Sequence, residues 1–188
     1  MKGLDAGEVT QLLEAHRSGD NAAWASLIEF VYADLKRLAH SQSAGRPRDR
    51  TLDTTSLVNE CYLRLYATAE KGSVESQQHF LALAARIMRT VMCDYARERL
   101  AEKRGGGKPH QGEEAIDLEA VQDARELLEL DDLLRKLATQ SARSAEVFEC
   151  RYFGGLSEAQ TAETLGLSLR TVQREWNAAR GWLRERLA

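Results

Sequence analysis

At 188 residues the chain is long enough for one ordinary domain or two small ones; with 43% hydrophobic and 29% charged residues it can bury a core, which excludes a disordered chain. Cys61, Cys93 and Cys150 are an odd three without a Cys-x-x-Cys pair, so neither a disulfide framework nor a zinc knuckle is expected, and a reducing cytoplasm is the expected location. The net charge of −3 hides a segregation that keeps a nucleic-acid partner in play, because electrostatic binding depends on the local patch more than on the sum.

Periodicity reads as helix almost throughout. Val9 to Arg17 forms a short helix broken by Ser18-Gly19-Asp20, and Ala22 to His40 a longer one with Trp24, Leu27, Ile28, Val31, Leu35 and Leu38 on one face. The polar stretch Ser41 to Arg50, with Gly45 and Pro47, reads as a loop. A third helix begins near Thr54 to Ser56 and carries Leu57, Val58, Cys61, Tyr62, Leu65 and Tyr66. After the polar loop from Glu70, a fourth carries Phe80, Leu83, Ala84, Ile87, Met88, Val91, Met92 and Tyr95 as a continuous stripe to about Arg104. Gly105-Gly106-Gly107 and Pro109 end it.

The segment after these glycines is polar and acidic and behaves as a tether. A second helical unit then places Leu127, Leu130, Leu134 and Leu137 on one helix and Ala145 to Phe153 on another, with turns at Gly154-Gly155 and Gly166-Leu167-Ser168. No alternating strand pattern is present. The expected fold is therefore all-α: two small helical domains, residues 1–104 and 125–188, joined by a flexible linker over 105–124.

Charge tracks this plan. From Glu113 to Asp132 there are nine acidic residues against one basic, Arg125. From Arg86 to Arg104 six basic residues face three acidic ones, and from Ser168 to Arg186 five face two. Two basic helices flank an acidic stretch.

The C-terminal end has the signature of a helix-turn-helix. Ser157 and Gln160 stand at capping-box spacing, Ala159, Ala162 and Leu165 offer one side for burial, Gly166 supplies the left-handed turn, and Ser168 caps the next helix. On that helix Val172, Trp176, Ala179 and Leu183 face inward, leaving Arg170, Arg174, Asn177 and Arg184 opposite and Gln173 on the flank. Arg can bond two acceptors on guanine, and Asn and Gln can do the same on adenine. This geometry places the second helix in a DNA major groove.

Three motifs together resemble a bacterial RNA polymerase sigma factor of the compact extracytoplasmic-function (ECF) group. They are Leu57-Val58-Asn59-Glu60-Cys61-Tyr62-Leu63-Arg64-Leu65-Tyr66, the helix from Phe80 through Asp94-Tyr95-Ala96-Arg97, and Leu156 to Gln160 with Arg170 to Arg174 beyond it. They stand in the family's order and separation and cover nearly the whole chain. The resemblance implies that Asn59, Glu60, Leu63 and Arg64 dock on core RNA polymerase, at the clamp helices of its beta-prime subunit. It implies that Arg86, Arg89, Arg97 and Arg99 engage the minus-ten promoter element, with Asp94 paired to a neighbouring arginine and Tyr95 packed in the core. The loop from Glu70 to His79 would capture a flipped-out promoter base, which can be read only after leaving the stack. Arg170, Thr171, Gln173, Arg174 and Asn177 would contact the minus-thirty-five element as duplex. The acidic tether would run through the positively lined channels of polymerase.

The chain departs from the family pattern at one place. Family members commonly begin the core-binding helix with acidic residues; here Thr54, Thr55 and Ser56 hold those positions. A phosphate on one of these hydroxyls adds roughly −1.5 to −2 charge, at a helix N-terminus where it is favoured. Phosphorylation by a Ser/Thr kinase is thus one expected switch, an anti-sigma factor another, and a plain capping role for one hydroxyl the alternative. Rival readings are a dimeric helix-turn-helix repressor and a sigma mimic that sequesters an anti-sigma factor. Enzymatic activity, cofactors and metals are not expected: the glycines at 105–107 do not lead into a Lys-Ser/Thr pair, no nucleophile has an adjacent base, and His16, His40, His79 and His110 lack metal-ligand spacing. No apolar run reaches the length of a membrane span, and the first residues lack the apolar stretch of a secretory signal.

Overall fold

The computed structural model describes residues 11–12, 14–16, 18–20, 22–27, 29, 54–69, 77–104 and 118–187. Among these every regular element is helical. Helical residues at 11–12, 14–16 and 22–27 precede α1 (Thr54–Ala69), α2 (Gln77–Arg104), α3 (Leu118–Gln140), α4 (Ala142–Tyr152), α5 (Glu158–Leu165) and α6 (Leu169–Leu187). The expected loop at 41–50, residues 70–76 of the loop read from Glu70 to His79, the glycine stretch at 105–107 and the C-terminal part of the helix drawn to His40 lie outside the described residues; Gln77, Gln78 and His79, read as the end of that loop, are instead the first turn of α2.

Local chemistry accounts for the breaks. Gly19, with φ of 97°, turns the chain, and Asp20 accepts from the amides of Ala22 and Ala23 to start the next helical stretch. Ser141 caps α4 by accepting from the Ser144 amide. Ser157 and Gln160 form the full capping box of α5, and Gly166 closes that helix at φ 63°. Ser168 then accepts from the Thr171 amide at 3.1 Å to open α6.

The N-terminal part of the core is built from Trp24, Leu27, Cys61, Leu65, Phe80 and Met88. Trp24 meets Tyr66 and Phe80 edge-on, at ring separations of 5.6 and 6.4 Å. The same core continues without a break into Leu130, Leu134, Leu137, Phe148, Phe153 and Leu183. α2 is the shared element, since it packs on α1 and also on α3, α4 and α5.

That double packing explains which α2 residues are buried. Phe80, Ile87, Met88, Val91 and Met92 form the expected apolar stripe, but Ala85, Cys93 and Ala96 are buried as well. Tyr95, expected in the stripe, is only half-buried, with the Arg99 guanidinium 5.9 Å over its ring. α3 begins at Leu118, inside the segment read as tether, because buried Ala124 extends the face of Leu127, Leu130, Leu134 and Leu137 back by one turn. The inward face of α5 also differs from expectation. Thr161 and Thr164 are buried while Ala159 is exposed and Ala162 and Leu165 are half-buried. Thr161 can be buried because its hydroxyl donates to the Ser157 carbonyl at 2.8 Å.

Replacing Ser157 by Ala should destabilise the protein by about 1 kcal/mol through loss of the cap. Gly166→Ala should cost about 1–2 kcal/mol, because alanine resists the left-handed conformation. Urea unfolding of each variant against the wild type measures both.

Candidate nucleic-acid and polymerase interfaces

α1 presents an outward face with an apolar centre. Leu63 is 57% exposed, beside exposed Asn59 and half-exposed Glu60 and Arg64. Arg64 donates from Nε to Glu60 at 2.8 Å and from Nη1 to Asp94 of α2 at 2.8 Å. A single exposed leucine is ordinary on a protein surface; its place on α1 coincides with the docking position that the family resemblance implies. Thr54, Thr55 and Ser56 occupy the first turn of α1, which contains no acidic residue; their side chains lie outside the described residues.

The four α2 arginines expected at DNA have different surroundings. Arg86 is exposed and Arg99 half-exposed over Tyr95. Arg97 binds Asp94 at 2.8 Å and reaches Asp131 of α3 at 3.4 Å. Arg89 is nearly buried, its side chain 16% exposed. Its Nε donates to Asp131 Oδ1 at 2.8 Å, Nη1 to Glu149 Oε1 of α4 at 3.3 Å, and Nη2 to the Asp131 carbonyl at 3.1 Å. Asp131 is only 4% exposed and also takes Arg135 at 2.6 Å. A buried pair broken by loss of one partner costs about 3–5 kcal/mol, since the other charge is stranded. In this arrangement Arg89 is therefore committed to the chain's own carboxylates, and Arg97 partly so.

α6 offers the second basic face. Val172, Ala179 and Leu183 are buried and Trp176 half-buried, stacked on Phe148 at 5.2 Å. Arg170, Gln173, Arg174, Asn177 and Arg184 are exposed on the other side. Thr171 is half-buried, its hydroxyl 2.8 Å from that of Ser168. Two acidic residues that helical periodicity does not single out hold this face in place. Glu175 accepts from Ser144 of α4 at 2.6 Å and from Arg174 Nη2 at 2.8 Å. Glu158 accepts from Gln173 at 2.8 Å. The Ser144 hydroxyl, and after it Arg174, holds the Glu175 carboxyl below the usual range. Glu175 therefore stabilises the docking of α6 above the ordinary glutamate range and loses that contribution as pH falls through its lowered folded value. Arg174 itself is 68% exposed.

Helices joined by a short glycine turn, with a polar Arg/Gln/Asn face on the second, are the geometry of a major-groove reader. A family model described as ECF sigma factor matches residues 6–188, so the chain belongs to the ECF sigma factor family. No curated protein and no solved structure matches it. Sigma factors of this family direct transcription initiation as non-enzymatic regulators that bind core RNA polymerase and promoter DNA. Among the described residues no helix is long and apolar enough to cross a membrane, and no group of three or more His, Cys, Asp or Glu could hold a metal ion.

The three thiols are sealed in the packed helices. Burial pushes Cys61, Cys93 and Cys150 each up to about 12; for Cys93 the neighbouring Asp131 adds to the effect. Thiolate is the reactive form. The native protein should therefore resist iodoacetamide at pH 8, and all three cysteines should be alkylated rapidly in urea. Fast native labelling of Cys61 would contradict the packing of α1 on α2.

Proposed function

We propose that this ECF sigma factor docks through Asn59, Glu60, Leu63 and Arg64 on the clamp helices of the beta-prime subunit. It engages the minus-ten element with Arg86, Arg99 and the exposed edge of Arg97, while Arg89, held by Asp131 and Glu149, positions that helix, and it reads the minus-thirty-five duplex with Arg170, Thr171, Gln173, Arg174 and Asn177. One observation carries the reading: a single chain in this family presents an apolar-centred partner face on α1 and an exposed Arg/Gln/Asn face at the start of α6. Residues 1–104 and 125–188 act as two weak binders. Polymerase holds both near their elements, which raises the effective concentration of each. Within this reading Glu175 is a positioning residue that orients the Arg174 guanidinium, and Glu158 orients Gln173.

The absence of acidic residues from the first turn of α1 supports control by phosphorylation at Thr54, Thr55 or Ser56. A phosphate there adds roughly −1.5 to −2 charge at the positive end of the helix. That charge would meet basic residues on polymerase, and a Ser/Thr kinase is the enzyme that supplies it.

In vitro transcription with purified core enzyme and a promoter library tests the function. The expected result is promoter-specific initiation only when the chain is present, enhanced by kinase treatment or by Thr55→Glu. Duplex binding without any association with core enzyme would leave only a generic DNA reader. Arg174→Ala should weaken binding to the selected minus-thirty-five duplex by about 1–3 kcal/mol and relax its preference at one base pair. Glu175→Gln should relax the same preference without lowering the melting temperature as far as Trp176→Ala does. Fluorescence anisotropy on single-base variants of the duplex reads both effects.

A further inference from the structure

Arg151 stands in the last turn of α4 with only 21% of its side chain exposed. Its guanidinium lies 4.8 Å over the ring of Trp176, on the packed side of α6. There its Nε and Nη1 are buried and have no hydrogen-bond partner. A guanidinium taken out of water is costly unless a counter-charge faces it. Among the described residues the carboxylate within ion-pair distance is Glu158, whose Oε1 lies 3.7 Å from Arg151 Nη1. Glu158 is the first residue of α5, directly after the Ser157 cap, so the reciprocal capping box fixes its backbone. Its other oxygen, Oε2, accepts from Nε2 of Gln173 at 2.8 Å. Arg151, Glu158 and Gln173 thus form one line of contacts from α4 through α5 to the reading face of α6.

We propose that Arg151, buried behind that face, sets the base that Gln173 reads: through Glu158 it confines Gln173 to adenine. This deepens the reading of Gln173 as a minus-thirty-five contact and rests on it. A side-chain amide carries two N–H donors and a carbonyl acceptor, whereas a carboxylate only accepts. Glu158 must therefore face the Nε2 side of Gln173, and it takes up one of the two N–H groups. What remains for the groove is one donor and one acceptor. Adenine presents the matching pair, an N7 acceptor and an N6 amino donor. Guanine presents two acceptors, N7 and O6, so the Gln173 carbonyl would meet O6 with no proton between them. A glutamine without such a brace can turn its amide over and offer its N–H groups to guanine instead.

The brace needs Arg151 because Glu158 is otherwise free to leave. Its side chain is 37% exposed, and one hydrogen bond between an exposed carboxylate and an amide holds neither partner firmly. DNA phosphates also repel a carboxylate that lies near the groove. The buried guanidinium is the charge that opposes both effects, and its burial keeps salt from screening it fully. Arg174 lies outside this line, since its own brace is Glu175.

The test uses the full-length chain and a pool of fluorescein-labelled DNA duplexes randomised over one helical turn. Sequencing of the bound fraction locates the base preferences, and anisotropy on single-base variants of the selected duplex measures them. Gln173→Ala should abolish the preference at one base pair, and there the wild type should favour adenine over guanine about tenfold. Arg151→Met, which keeps an apolar stem against Trp176, should bring that ratio close to unity; Arg151→Gln replaces it if circular dichroism shows the first unfolded. Glu158→Ala, which leaves the Trp176 packing in place, should do the same. These substitutions change the net charge and shift affinity for all duplexes alike, which cancels in the ratio. The preference at the base pair read by Arg174 should survive them, as a general loosening of α6 would not allow. Retention of the adenine preference without Arg151 would overturn its role and leave Gln173 a base contact. A wild-type preference for guanine at that pair would overturn the brace itself. If Gln173→Ala alters no preference at any position, Gln173 reads no base, and the proposal falls together with that part of the function on which it rests.

Discussion

A guanidinium buried between helices cannot be left without counter-charge, and that constraint at Arg89 shapes much of this structure. The side chain lies where α3 and α4 pack on α2, only 16% exposed, and a guanidinium is too costly to bury unpaired. Asp131 and Glu149 meet the requirement from two other helices, and in doing so fix how α3 and α4 lie on α2. Hydrophobic packing supplies most of the attraction there, but it is non-directional. The ion pairs set the register, and Ala85 opposite Gly154 sets the distance.

Arginines lined along a helix such as α2 attract any carboxylate that the chain itself presents. The acidic C-terminal part of the run from Glu113 to Asp132 lies on α3, directly against this helix. The recognition helix α6 repeats the arrangement on a smaller scale. Glu175 and Glu158 orient Arg174 and Gln173, but both contacts are exposed and leave donor edges open. One acidic pair buries its arginine; the other leaves its partners exposed.

The elements were largely legible in the sequence, because caps, glycine turns and the 3.6-residue stripe act locally. Ser157 with Gln160, Gly166 and Ser168 mark their boundaries by side-chain chemistry that needs no tertiary information. The second buried face of α2 was not legible. Ala85 and Cys93 fall outside the apolar stripe of α2, and the neighbouring Arg89 carries a charge; small and basic residues become interior only when a partner with matching carboxylates arrives from far along the chain. For the same reason Arg89 reads as a plain DNA contact, and Asp131 as one acid among nine. The buried threonines of α5 were missed because a hydrophobic pattern ignores a hydroxyl that satisfies itself on the preceding turn. Glu175 gave no signal in periodicity; an acid next to an arginine on a groove-reading helix is the clue that could have found it.

The central claim is that Arg89 fixes α3 and α4 on α2 through Asp131 and Glu149. Urea unfolding of Asp131→Asn against the wild type tests it most directly. The account predicts a loss of about 3–5 kcal/mol, because the guanidinium is left without its main counter-charge. An unchanged unfolding midpoint would contradict it.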